Sequence, residues 1–305
     1  MVESGRATAR RLPSSDEASP PLSPGRRAWI RFRRNGVGMT GLGLVFLMVL
    51  TAVFAPVIAP YPPDKQFANG ISLTGVPVAP QWRIPGFVLG TDALGRDILS
   101  RIIWGARESL EVGVFATLVA VAIGVTLGLV AAWSPPRVQN LLMRFVDVML
   151  AFPFYLFVML IVSVVGHAST GVVIVVLGVV GWPVIVRMVR AEALVVREEE
   201  FVTAALASGA SSARVMFRHI LPNVMPTILT FASLTVSGNI MAESGLSFLG
   251  LGVPPPTPSW GEMISEGLSY YQTAPWILIF PGIALMLAML GFNLMADGLN
   301  ESLRP

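Results

Sequence analysis

The chain has no cysteine, only two histidines (His167 and His219) and a single lysine, Lys65. Disulfides and thiolate metal sites are therefore excluded, and two histidines argue against a histidine-based metal centre. No G-K-[ST] sequence occurs, so the chain has no P-loop and any dependence on ATP must come from a partner. Charge is scarce as well, at 13% of 305 residues, whereas 54% are hydrophobic. With a mean hydropathy of +0.70, a soluble domain would not stay in solution. The expected fold class is an all-α polytopic membrane protein surrounded by a lipid bilayer.

The uncharged runs set the number of spans. No charge occurs from Asn35 to Pro63, which places span 1 near Val37 to Ala59. Span 2 fits Val112 to Trp133, with Gly124 and Gly128 offering a small face for close packing. No charged residue lies between Asp147 and Arg187. As one helix that run would be about twice as long as the hydrocarbon core is thick. It divides into span 3 (Leu142 to Val165) and span 4 (Val172 to Val189), with a turn over 166–171 that includes His167 and kinks expected at Pro153 and Pro183. Span 5 covers Met225 to Leu249 and span 6 Trp276 to Ala296.

Residues 1–34 are rich in Arg, Pro and Ser and read as a disordered tail whose final arginines anchor the topology. Residues 35–111 hold span 1 and a polar segment, and 112–300 the five-span core with a loop over 191–223. With the N-terminus inside, sixteen of the 21 basic residues fall in inside segments and five outside, all within 60–111. The positive-inside rule then favours six spans with both termini in the cytosol.

Two polar stretches carry the functional signals. From Asp97 onward, Ile98, Leu99, Ile102, Ile103, Ala106 and Leu110 recur at helical spacing and predict an interfacial amphipathic helix leading into span 2. Asp92 and Arg96, spaced i,i+4 in a glycine-bounded turn, predict a fixed salt bridge. The other stretch, Glu200 to Asn223, predicts a helix of small residues stopped at Gly209. A short second helix follows, capped by Ser211 or Ser212 and ending before Pro222. Ala204, Ala205 and Gly209 are small where nothing in the loop demands it, which suits close approach by another protein. Inside span 5, Glu243 is the one carboxylate deep in an apolar run, a candidate for the path or gate.

Other motifs fail on context. Gly36, Gly38 and Gly41 spell G-x-G-x-x-G, but no strand precedes them. The outer turn lacks the alternating oxygens of a calcium loop, and G-L-S-F-L-G is one residue too long for a nucleophile elbow. Ser208 to Ser211 lie in an arginine-bearing loop, which argues against an intramembrane serine protease.

The loop also resembles the cytoplasmic "EAA" loop of ABC importer permeases. That pattern continues through Ala204, Ala205, Gly209, Ala210, Leu221 and Pro222, with Thr203 in place of its Glu and His219 in place of its Ile. The run Gly90, Thr91, Asp92, Gly95, Arg96, Asp97 to Arg101 resembles the G-T-D-x-x-G-R-D-x-x-S-R segment of the peptide class. The block Ala242 to Gly261 resembles it again. The chain is thus similar to the C-type permease subunit of oligopeptide/dipeptide importers, which include nickel and other small-solute members. The resemblance implies a type I-like permease fold in a bacterial plasma membrane. It implies no enzymatic activity, no nucleic acid, and no cofactor on this chain, with ATP and Mg held by partners. Those partners are a second homologous permease, one or two ABC ATPase subunits docked on the loop, and an extracytoplasmic solute-binding protein. Residues 90–97 are then expected at the outer gate or docking surface. The alternative is an ion-coupled secondary transporter, which usually shows internal repeats or several midplane ionisable groups; no repeat is found.

Overall fold

The computed structural model describes residues 24–82, 86–166 and 169–303, and these are mostly helical. Helix α1 is Pro24–Arg34 and α2 is Gly36–Val53, followed by the single turn Ala55–Ile58. Helix α3 is Ile98–Trp133, α4 is Pro136–Ala151, α5 is Phe154–Val165 and α6 is Thr170–Arg197. Helix α7 is Glu200–Ala207, α8 is Ser212–Phe248, α9 is Trp260–Gly267 and α10 is Trp276–Leu303. Among the described residues, β structure is confined to the isolated bridges Gln66↔Arg96, Ile71↔Pro77 and Thr91↔Asp97 in the segment before α3.

Five helices (α2, α3, α6, α8 and α10) are long and apolar enough to cross a membrane, and α4 with α5 forms a sixth crossing if the bent pair is one span. The expected kink at Pro153 is a break of 87°. Phe152 before it is forced into extended backbone, with ψ 134, because the proline ring disfavours the helical region for its predecessor. Pro183 does not break α6. The turn at His167 lies outside the described residues.

Three expectations are corrected. The tail read as disordered over 1–34 is helical from Pro24 to Arg34; residues 1–23 lie outside the described residues. Phe32 on this helix is buried against Gly38 and Gly298, so the helix docks by one aromatic anchor that an arginine-rich composition hides. The amphipathic helix expected before span 2 is not separate, because α3 runs unbroken for 36 residues. Asp97 caps it by accepting from the Ser100 N–H at 2.8 Å, and the helix holds no proline that would interrupt it. Its polar residue Arg101 is fully buried rather than interfacial. Finally, the second loop helix does not end before Pro222. It widens into a π turn over Met216–Ile220, where the Leu221 N–H bonds to the Met216 carbonyl, and continues as span 5. The wider turn accommodates a proline that has no N–H of its own.

Glycines bring the spans together. A Cβ at Gly124 or Gly128 would lie 2.5 to 2.7 Å from Ile185 or Val189 of α6, so the small face of span 2 is a contact face. Gly38 and Gly41 of the rejected nucleotide-like motif press on the backbone of α10 at Gly298, Leu294 and Met295. A buried cluster of Leu129, Val189, Val202, Val215, Ile220 and Val224 then ties α7 and the start of α8 to the ends of α3 and α6.

Candidate functional site

The loop over 191–223 begins in the last two turns of α6, turns through Glu198 and Glu199, and runs through α7 to the start of α8. Gly209 ends α7 with φ +83, the left-handed conformation that a side chain disfavours. The Ala210 N–H returns to the Ala205 carbonyl at 3.1 Å, closing the helix end. Ser211, one of the two expected caps, accepts from the Arg214 N–H at 3.4 Å. Thr203, Ala204, Gly209 and Pro222 are exposed, while Ala205, Ala210, His219 and Leu221 are half-buried. Ala205, Ala210 and Leu221 pack against the cluster beneath. The smallness of Ala205 therefore has a reason inside the chain, contrary to the sequence expectation, whereas that of Ala204 does not. Phe201, Leu206 and Phe217 are exposed on the same loop, Phe217 at 64%, and His219 lies 6.4 Å from Phe201 between ring centroids.

The segment before α3 is built around a buried ion cluster. The Thr91 hydroxyl donates to the Gly70 carbonyl at 2.5 Å and accepts from the Val78 N–H at 2.8 Å. Its carbonyl accepts from the Trp276 indole at 3.1 Å, while Gly90 lies against that indole and Gly95 against Phe67. Asp92 Oδ1 accepts from the N–H groups of Leu94 and Arg96, and Oδ2 pairs with Arg96 Nε at 2.5 Å. Arg96 continues to Glu266 at 2.9 Å. Arg101 pairs with Glu262 at 2.8 Å, and its Nε lies 3.4 Å from Asp92. Asp92, Arg96, Arg101 and Glu262 are all buried. The predicted pair is thus the visible part of a five-residue cluster joining the segment before α3, α3 itself and α9. Sequence spacing flagged only that pair, because Glu262 and Glu266 lie far along the chain, with 161 residues separating Arg101 from Glu262.

Burial raises the Asp97 carboxyl against its bonds to Ser100. Burial, offset by Arg101 and reinforced by Glu266, pushes Glu262 from its ordinary 4.5 up to about 7. Between those values the folded state holds a proton that the unfolded chain has released. This contribution to stability is therefore complete below 4.5 and is lost as pH rises through about 7. Protease resistance of the segment before α3 is expected to fall across that window, and Glu262→Gln to flatten the dependence. A wild-type profile that climbs instead would contradict the cluster's electrostatics.

Glu243 is fully buried near the C-terminal end of α8. It accepts from Ser247 at 2.7 Å, from Ser109 of α3 at 3.4 Å and from Ser244 at 3.5 Å. Ser247 lies 3.4 Å from Ser259, which caps α9 by accepting from the Glu262 N–H. A hydroxyl chain thus joins Glu243 to the helix that carries the ion cluster. Glu243 does not line the large cavity on the other side of α8.

Glycine-packed spans, a bent helix pair and a loop helix that flows into a span define a polytopic helical membrane protein. The chain belongs to the family of binding-protein-dependent transport system inner membrane components, whose model matches residues 124–305. Residues 23–74 match the N-terminal TM domain of oligopeptide transport permease C, which places the chain in the C-type class of peptide ABC importer permeases, multi-pass proteins of the bacterial cell membrane. It is 40% identical to the di/tripeptide transport system permease protein DppC of Pseudomonas aeruginosa, over 96% of each chain. It is 38% identical to the dipeptide transport system permease protein DppC of Alkalihalophilus pseudofirmus, over 97% of each. It is also 38% identical to the glutathione transport system permease protein GsiD of Escherichia coli, over 93% of this chain and 91% of the relative. Among solved structures, an inward-facing MetNI methionine ABC transporter matches with a TM-score of 0.57 at 17% identity. It covers 67% of this chain and 97% of its own, which supports the fold.

Proposed function

We propose that this chain forms half of the path of an ATP-driven importer for di- or oligopeptides, that its 191–223 loop docks an ABC ATPase in the cytosol, and that both termini lie inside. The observation that carries the reading is the loop itself. Phe201, Leu206 and Phe217 are exposed beside Ala204 and a left-handed Gly209, on a scaffold fixed by the buried Val202, Val215 and Ile220. Apolar groups held rigidly outside the hydrocarbon call for a protein cover. The peptide substrate is carried over from the named relatives. ATP and Mg then belong to the partner ATPases, and a sister permease and a solute-binding protein complete the assembly. Outside, residues 90–97 shape the gate or docking surface, and Glu243 ties the outer end of α8 to that gate through Ser247 and Ser259.

Orientation is the first test. Single cysteines at positions 65 and 257 are expected to react with an impermeant maleimide in intact cells, and cysteines at 20 and 212 only after lysis. Labelling of 212 from outside would overturn the docking reading.

A further inference from the structure

A cavity of about 660 Å³ lies between the α4–α5 elbow and the middles of α6 and α8. That volume falls in the ~300–1,000 Å³ range of pockets that hold small organic ligands. Phe152, Tyr155 and Phe231 give it an aromatic wall. Gly238 stands on the α8 side of the same wall, and nothing lies within 4 Å of where its Cβ would be. It differs in this from Gly113, Gly124 and Gly128, whose missing side chains make room for Ile240, Ile185 and Val189. A glycine inside a helix costs roughly 1 kcal/mol relative to alanine. At Gly238 no neighbour in this chain uses the space, and φ is not positive.

Two polar groups face the same cavity with capacity to spare. Asn239 is 5% exposed; its Nδ2 donates to Thr117 Oγ1 at 3.0 Å, and among the described residues no donor reaches its Oδ1. The Tyr155 hydroxyl has no hydrogen-bond partner among the described residues either. Lipid tails could satisfy neither group, and leaving both open at membrane depth is costly. One open acceptor and one open donor, set among aromatic rings, match the alternating N–H and C=O of an extended peptide.

We propose that this cavity is the section of the solute path contributed by this chain. Asn239 Oδ1 accepts from a peptide N–H, the Tyr155 hydroxyl donates to a peptide carbonyl, and Gly238 keeps the passage open. The proposal rests on the peptide-importer reading and adds to it the place and the groups that touch the solute. It also separates the path from Glu243, which faces Ser109 instead.

The natural absence of cysteine makes the test direct. Gly238→Cys and, as a control outside the cavity lining, Leu234→Cys are placed in the full importer with cysteine-free partner subunits. Dialanine uptake is measured before and after benzyl methanethiosulfonate, with and without excess dialanine as protectant. Modification at 238 is expected to reduce uptake more than tenfold, with protection by the peptide and no effect at 234. Asn239→Leu is expected to raise the KM for uptake about tenfold, while Thr126→Val, whose hydroxyl bonds only to the Ala122 carbonyl outside the cavity lining, changes it little. If the modified Gly238→Cys variant still transports normally, or is blocked without protection by peptide, lipid or the sister permease fills the cavity and the proposal fails alone. If the unaltered complex carries neither dialanine nor trialanine nor pentaalanine, the peptide-importer reading fails and takes the proposal with it.

Discussion

Ala204→Trp and Gly209→Glu will leave the permease inserted and paired with its sister subunit, yet the ATPase will be recovered poorly with it and solute-stimulated hydrolysis will be lost. Ala204 is exposed on α7, so an indole there projects away from this chain's own core. Gly209 has open space where a Cβ would sit, but its φ of +83 makes any side chain strained. Misfit in a packed interface costs about 1–3 kcal/mol, enough to weaken association about ten- to a hundredfold. Gly209→Ala isolates the backbone share, roughly 1 kcal/mol, because it adds strain with little bulk. Ala205→Trp is a different experiment: it drives an indole into the cluster around Val202 and is expected to damage the permease itself. A pull-down with an ATPase assay decides the matter. Full recovery and full stimulated turnover in both Ala204→Trp and Gly209→Glu would reduce the loop to a linker.

Arg101→Leu will loosen the whole segment between α2 and α3. The guanidinium is fully buried between Glu262 and Asp92. Removing one partner of a buried pair leaves uncompensated charge and costs about 3–5 kcal/mol. The exposed Arg187–Asp147 pair supplies the contrast; Arg187→Ala should cost about 1 kcal/mol or less. Proteolysis of residues 61–97 in right-side-out membranes, followed against denaturant, reads both. Asp92→Ala and Arg96→Ala are expected to impair transport in the same way while ATPase recovery stays normal. Equal resistance of Arg101→Leu and Arg187→Ala would show that the cluster is ornamental.

The spans were legible in the sequence because uncharged runs of bilayer length leave little choice of structure, and Gly124 and Gly128 announced their packing by spacing alone. The Gly209 stop was legible for a similar local reason. What stayed hidden was non-local. The i,i+4 rule found Asp92 and Arg96, but nothing near Arg101 foretells Glu262, since that pairing exists only once α9 folds back over α3. The solvent-facing side of α7 was equally hidden, so Ala204 and Ala205 looked alike although one packs inward. Pro222 misled because a proline after a short polar helix usually ends it, whereas the π turn lets the helix continue.

That continuation has a mechanical consequence. Helix α8 is 37 residues long, about 55 Å at ~1.5 Å per residue, and its two ends hold the loop cluster and the Glu243 node. A stiff rod of that length acts as a lever arm: a tilt of about 5° at one end displaces the other by about 5 Å on simple geometry. Its compliant points, the π turn at Met216–Ile220 and the interior Pro226, both lie close to the loop end. A push arriving on the loop side of these points is partly absorbed as bending, and one arriving beyond them is passed on to the Glu243 end of the helix. Deleting one residue from the wide turn would close that joint and turn the loop by ~100° around the helix axis, so the gearing between the two ends of α8 would change together with the loop to which Phe217 and His219 belong.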